Sequence, residues 1–191
     1  MSQTKMTGYR DGVPELIAAH GLGEETAEAL LALDLAMFQY ARRVAKGEWV
    51  AFILRRIEAD LEMVQFQALA SVARRCTPGK GGDVTWATVG DLAEEMQITP
   101  SRASRLAAEL VSRGYLRRGA AQDDGRKSYL EPTAKAGRFL ARFRKEKWDF
   151  MLSIYDSWPE DDIRTFARLY ERYTSAVQER MTEDGETRAE S

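Results

Sequence analysis

Apolar and polar positions alternate with helical spacing over most of the chain. Glu24 and Glu25 open the first clear pattern, where acids suit the positive end of a helix dipole. Ala27, Leu30, Leu31, Phe38, Ala41 and Ala45 then recur at three- and four-residue steps. Asp34 lies at the edge of that stripe, its carboxylate expected in water. Gly47 interrupts the pattern. One helix is predicted from about Phe52 to Arg75, with Leu54, Ile57, Leu61, Val64, Ala68 and Val72 on a shared face. The run from Thr77 through Pro78 to Gly82 breaks it and reads as a flexible loop. Val84, Thr85 and Trp86 favour β structure but are too few to stand alone. Upstream, residues 1–23 show weak periodicity and are expected to form a loosely ordered arm.

The next forty-five residues carry the most information. Val89, Leu92, Ala93 and Met96 occupy one side of a short helix, with Thr88 as its cap. Gln97 and Ile98 end it. Thr99 and Pro100 restart a helix: the threonine hydroxyl caps, and proline fits a first turn, where its missing N–H is not needed. Ala103, Leu106, Ala107 and Leu110 form an inward stripe. Ser101, Arg102, Ser104, Arg105, Ala108, Glu109 and Ser112 face the other way. Gly114 supplies the stop. Two short helices joined by a tight turn predict a helix-turn-helix. Tyr115 to Arg118 can then extend as a strand. Gln122 to Lys127 is a turn with Asp-Gly at its centre, and Ser128 to Leu130 can return antiparallel. A hairpin in this place is a wing.

Pro132 ends the return strand, and Thr133 can cap a long helix to about Ser157. Phe139, Leu140, Phe143, Phe150, Met151 and Ile154 give it more apolar surface than a lone exposed helix carries. Pro159 and the acids Glu160, Asp161 and Asp162 open a last helix with the stripe Ile163, Phe166, Ala167, Tyr170, Tyr173 and Val177. The expected fold is mainly α: a winged helix-turn-helix head at 83–131, flanked by long helices at 24–82 and 132–181 that form a dimerisation domain. Residues 182–191 are expected to be a disordered acidic tail.

Composition narrows the function. The chain has 191 residues, with 28 Lys+Arg, 30 Asp+Glu, one His and one Cys. A single cysteine excludes an internal disulfide framework, and one Cys with one His leaves no ligand set for structural zinc. No cofactor is expected. No apolar run is long enough to span a bilayer, and the N-terminus lacks a signal-peptide core, so a cytoplasmic protein is expected. The net charge of −2 hides an asymmetry. From Arg74 to Lys145 there are 15 Lys/Arg and 8 Asp/Glu, or +7; the remainder has 13 and 22, or −9. A basic middle between acidic flanks suits a nucleic-acid-facing module. His20 lies in the arm, far from any nucleophile, and no glycine-rich phosphate loop occurs, so an enzyme is not expected.

The stretch VGDLAEEMQITPSRASRLAAELVSRGYLRR, followed by DDGRKSYLEPTAKA, resembles the MarR (multiple antibiotic resistance regulator) family. Ser104-Arg105-Leu106, the Arg113-Gly114-Tyr115-Leu116 ending and Asp124-x-Arg126 match the family pattern, and Met63 to Leu69 resembles its second-helix signature. After the wing the family usually has Leu-Thr-x-x-Gly; here Pro132 stands at the leucine place and the glycine comes one residue later, at Gly137. The resemblance spans about residues 24–181. It implies a homodimeric regulator, usually a repressor, that binds a pseudo-palindromic operator and is released by a small, often aromatic, effector held between the dimer helices and the head.

The residue chemistry gives each DNA candidate a role. The N-terminal half of a recognition helix reaches base edges in the major groove. Arg102 and Arg105 suit bidentate bonds to guanine, with phosphate contact as the alternative. Thr99, Ser101 and Ser104 are short donors for phosphates, which fix register. Arg126 suits a narrow minor groove or a phosphate, Asp124 would orient it through a salt bridge, and Lys127, Arg117 and Arg118 are phosphate candidates. Phe38, Tyr40, Trp49, Phe52, Phe66 and Trp148 are candidates to line an effector pocket. A thiol redox sensor is the alternative reading, because Cys76 follows Arg74 and Arg75, and nearby cations lower a thiol pKa. A helix-turn-helix used only for protein contact is a further alternative.

Overall fold

The computed structural model describes residues 11–77, 86–120 and 128–189, with backbone alone at 120, 128 and 184–189. In chain order come α1 (Val13–Ala19), α2 (Glu24–Ala45), α3 (Glu48–Arg56), α4 (Met63–Arg75), α5 (Val89–Glu95), α6 (Pro100–Ser112), β1 (Leu116–Ala120), β2 (Ser128–Pro132), α7 (Ala134–Tyr155) and α8 (Glu160–Ala189). The mainly helical winged fold is as the sequence predicts.

The main core lies in the head. Leu69 and Val72 of α4, Leu92 of α5, Ala103, Leu106, Ala107 and Leu110 of α6, Leu116 of β1 and Leu130 of β2 pack as one buried cluster. Ala136 at the start of α7 closes it. A second cluster of Leu54, Ile57 and Phe66 joins α3 to α4 and receives Phe139, Leu140 and Phe143 from α7. Phe139 and Leu140 border both clusters, so α7 ties the head to the flanking helices. Ion pairs reinforce the joints: Arg56 of α3 with Glu146 of α7, and Arg75 of α4 with Asp91 of α5 at 2.9 Å.

Three expectations need correction. The helix predicted over Phe52–Arg75 is two helices, separated by a turn at residues 57–62. Glu58 there has a left-handed φ of 46°, and the Ala59 amide donates back to the Leu54 carbonyl at 2.9 Å. A new helix start follows, where the Gln65 side chain accepts from the Glu62 amide at 2.9 Å. The apolar stripe runs on across the turn because Ile57 is buried with Leu54 in the second cluster and Leu61 with Ala68 in the main one. Periodicity therefore cannot see the break. The expected arm contains α1, with Pro14 in its first turn; residues 1–10 lie outside the described residues. The tail expected to be disordered from 182 continues α8 to Ala189.

One polar junction sets the angle between head and flanking helices. The Tyr115 ring is buried, and its hydroxyl donates to the Asp60 carboxylate in the α3–α4 turn. The Arg113 guanidinium, at the end of α6, donates to the Asp60 carbonyl and to Gln65 Oε1, the latter at 3.0 Å. Buried Gln65 in turn donates to Glu109 at 2.5 Å. Lys135 Nζ of α7 donates to the Arg113 carbonyl at 3.0 Å and sits 4.1 Å over the Tyr115 ring. Thr133, the α7 cap, donates to the Gly114 carbonyl at 2.7 Å.

Charge follows this geometry. The Tyr115 hydrogen bond, with Lys135 and Arg113 nearby, holds the Asp60 carboxyl below its usual 3.8. Burial, then the Asp60 carboxylate, pushes the Tyr115 phenol up to about 12 from 10.0. A depressed carboxylate stabilises the fold above its unfolded pKa and loses that contribution as pH falls through the folded value. A raised phenol contributes below pH 10 and loses it as pH rises toward about 12. Tyr115→Phe is expected to lower stability by ~1 kcal/mol in urea titrations at neutral pH and to flatten the loss between pH 10 and 12. An unchanged alkaline limb would show that the Tyr115–Asp60 bond does not hold this junction.

Candidate nucleic-acid interface

The helix-turn-helix is built from two caps and one turn. Thr88 caps α5, accepting from the Asp91 amide at 3.1 Å while Asp91 accepts from the Thr88 amide at 2.8 Å. This reciprocal arrangement satisfies two orphan donors of the first turn. Gln97 adopts φ 52° between the helices, and the Ile98 amide donates to the Ala93 carbonyl at 3.0 Å. Thr99 Oγ1 then accepts from the Arg102 amide at 3.4 Å, and Pro100 occupies the first turn of α6. Gly114, with φ 73°, ends α6 where a residue with Cβ would be strained.

The two faces of α6 separate cleanly. Ala103, Ala107 and Leu110 are fully buried and Leu106 nearly so. Ser101, Arg102, Ser104 and Arg105 are exposed, as are Ala108 and Glu109 beyond them. Small Ala103 and Ala107 let α6 lie close to the core, while Thr99, Pro100, Ser101 and Arg102 at its start are exposed. Arg102 and Arg105 form no ion pair with another described residue. The backbone amides beside them belong to the positive end of α6, which adds to the attraction for anions.

The wing follows directly. β1 and β2 pair antiparallel, with Leu116 opposite Pro132 and Gly119 opposite Tyr129. Ala87 adds a single bridge to Leu130, whose amide donates to the Ala87 carbonyl at 2.6 Å. The short segment at Trp86 thus contributes the edge of a third strand. Arg117 is paired with Glu131 directly across the ladder at 2.5 Å. That partner competes with a phosphate for its charge. Arg118 is exposed and has no ion pair among the described residues. Asp124, Arg126 and Lys127 lie outside the described residues.

Other parts of the basic segment are already neutralised. Arg74 pairs with Glu95, Arg75 with Asp91, and Arg113 with Asp60. The net of +7 already counts Glu95 and Asp91, so these pairs change which cations are free rather than the sum, and of these three acids only Asp60 lies outside the segment. What remains among the described residues of the head is Arg102, Arg105 and Arg118.

Among the described residues, the aromatic side chains considered for an effector pocket pack in separate groups. Trp49 and Phe52 pack on Phe150, with ring centroids 4.9 and 4.8 Å away. Phe66 packs on Phe143 at 4.3 Å and belongs to the second core cluster. Phe38, Tyr40 and Trp148 are more than half exposed. A cavity of about 430 Å³ opens at the α3–α4 turn, lined by Ala51, Leu54, Arg55, Glu58, Ala59, Leu61 and Met63. Cys76 is half-buried, and its Sγ lies 3.5 Å from the Leu130 carbonyl. Burial pushes its thiol up from 9.0 and Glu131 adds to this, outweighing Arg75. The arginines that suggested an activated thiol are held by Glu95 and Asp91.

The residues that sequence reasoning missed are those of the junction: Asp60, Gln65, Arg113, Tyr115 and Lys135. Arg113 and Tyr115 were visible as part of a helix ending. Their partners lie 48 to 55 positions away, beyond local periodicity.

A recognition helix with a bare Ser/Arg face, followed by a two-stranded wing, defines a winged helix-turn-helix protein. Residues 59–127 match the family model described as the MarR family. The segment from the α3–α4 turn into the wing is thus similar to the MarR family. The same fold occurs in a MarR family protein from Bacillus stearothermophilus, 18% identical, with a TM-score of 0.59 over 82% of this chain and 99% of that one. It occurs too in S. aureus MepR. A mutant bound to an oligodeoxyribonucleotide is 15% identical, with a TM-score of 0.51 over 73% of this chain and 97% of that one. MepR bound to ethidium bromide is 16% identical, with a TM-score of 0.53 over 73% and 96%. No curated protein matches the chain.

Because burial raises the Cys76 thiol, its alkylation by iodoacetamide is expected to reach half-maximal rate above pH 9.0. A midpoint near neutrality would instead identify an activated thiolate and favour redox sensing.

Proposed function

We propose that the chain is a cytoplasmic homodimeric repressor that binds a pseudo-palindromic duplex DNA operator and is released by a small-molecule effector. The carrying observation is the N-terminal half of α6, where Arg102 and Arg105 stand exposed and unpaired beside Ser101 and Ser104. An α-helix of this form fits the major groove, and arginine forms bidentate bonds to guanine O6 and N7. Arg102 and Arg105 read bases. Thr99, Ser101 and Ser104 hold phosphates, as does Arg118, with Arg117 contributing only when it leaves Glu131. Arg126, oriented by Asp124, enters the minor groove, and Lys127 contacts phosphate. The oligodeoxyribonucleotide bound to MepR supports the DNA assignment.

Dimerisation is supported by the uncovered apolar surface of the flanking helices. No residue of α2 is buried, although Leu30, Leu33, Leu35 and Val44 lie on it. Along α8, Phe166, Leu169, Tyr170, Tyr173 and Val177 are 40–51% exposed. Helices of this length and apolarity need a partner surface. The effector proposal rests on the open cavity at the α3–α4 turn, on the dimerisation side of the Asp60 junction, and is supported by the ethidium bound to MepR.

Sedimentation at micromolar concentration is expected to give twice the chain mass of 21.6 kDa; a monomer would overturn the dimer. Arg105→Ala is expected to change which sequences bind, with ~1–3 kcal/mol lost at one base position. Lys127→Ala is expected to weaken all duplexes alike and to lower the salt slope by about one. Anisotropy titrations on variant duplexes at several salt concentrations compare the two. Equal, unselective losses would remove the base-reading role of Arg105.

A further inference from the structure

Gly119 lies inside β1, directly opposite Tyr129 on β2 and one pair from the open end of the wing ladder. A Cβ at Gly119 would overlap Cε2, Cζ and the hydroxyl of Tyr129. The tyrosine ring therefore lies across the backbone of its neighbour strand, in space that only glycine leaves. The Trp86 indole packs on the same ring, with centroids 4.4 Å apart and planes 35° from parallel, while remaining 49% exposed. Trp86 is followed by Ala87, which bridges to β2, and by Thr88, which caps α5. Three consecutive residues thus grip the outer side of the wing, pair with its return strand and start the helix-turn-helix.

A glycine in a strand marks close approach and weakens the strand unless something covers it; an aromatic ring across it restores cross-strand packing. A hairpin of two five-residue strands is marginal in water on its own. Its inner side is held by Leu116 and Leu130 in the core. Near the open end, this aromatic contact covers its outer side among the described residues.

We propose that Gly119, Tyr129 and Trp86 form a clamp that fixes the direction of the wing relative to α5 and α6. They are positioning residues for the DNA contacts of the hairpin, Arg118 foremost, and so the inference rests on the DNA-binding reading. The clamp sets the distance between the base-reading helix and the wing, and hence whether both engage one duplex together.

The test uses the full chain and the variants Gly119→Ala, Trp86→Ala and Trp86→Phe. Amide exchange at Leu130 needs no DNA and is read first. Gly119→Ala and Trp86→Ala are expected to speed it ~10-fold or more as the hairpin opens locally, and Trp86→Phe to restore protection. On duplexes selected by the unaltered chain, the first two variants should weaken binding and lower the salt slope by about one for each displaced cation. The preferred bases under α6 should stay the same, and Trp86→Phe should recover the slope. A purely structural role would lower the amount of folded protein without changing the slope. Unchanged exchange, or an unchanged slope in both disruptive variants, overturns the clamp. If the unaltered chain bound no duplex, the function reading would fall and take the wing-aiming role with it, while exchange at Leu130 would still report whether the three residues hold the hairpin.

Discussion

Arg113 and Tyr115, at the end of the recognition helix, are fastened to a single turn between α3 and α4. Tyr115 donates to the Asp60 carboxylate and Arg113 to the Asp60 carbonyl, while Gln65 takes a second bond from Arg113 and gives one to Glu109. Lys135 joins from α7. Four elements therefore meet within one set of hydrogen bonds. Each buried polar atom there is satisfied, and no buried side-chain N or O among the described residues lacks a partner. Such a network tolerates little displacement, because a half-satisfied version leaves polar groups without water. It fixes the direction in which α6 leaves the body.

The second consequence concerns charge. A total of −2 conceals a basic head, and the basic head conceals how few of its described cations are free. Arg74, Arg75 and Arg113 hold helices together, and Arg117 spans the wing ladder. Structural ion pairs use up cations that a charge count would assign to DNA. The proposed reading face is narrow as a result. With few unpaired cations among the described residues of the head, non-specific attraction to phosphates would be limited, and the proposed reading leaves discrimination to base contacts.

Much of the fold was legible because its signals are local. Caps at Thr88, Thr99 and Thr133, the Gly114 stop and the inward stripe of α6 each act within one helical turn. The outward Ser/Arg face followed from the same periodicity. What escaped depends on long separation or on backbone strain. The α3–α4 break preserves the hydrophobic phase, and Glu58 takes its left-handed φ without a glycine to announce it. The Tyr115–Asp60 bond spans 55 positions. The aromatic residues were recognisable as apolar, yet their division into separate groups around Phe150 and Phe143 depended on helix packing. Cys76 looked activated by its neighbours in sequence, whereas those neighbours point to acids on α5.

We propose that α6 presents a base-reading face, twice, in a symmetric dimer. Selection of bound duplexes from random DNA by the full chain tests it most directly. Two inverted half-sites with centres ~10 base pairs, one helical turn, apart are predicted, since paired recognition helices enter successive major grooves on one side of the duplex. Enrichment of a single unpaired site, or no enrichment over the starting pool, would contradict it.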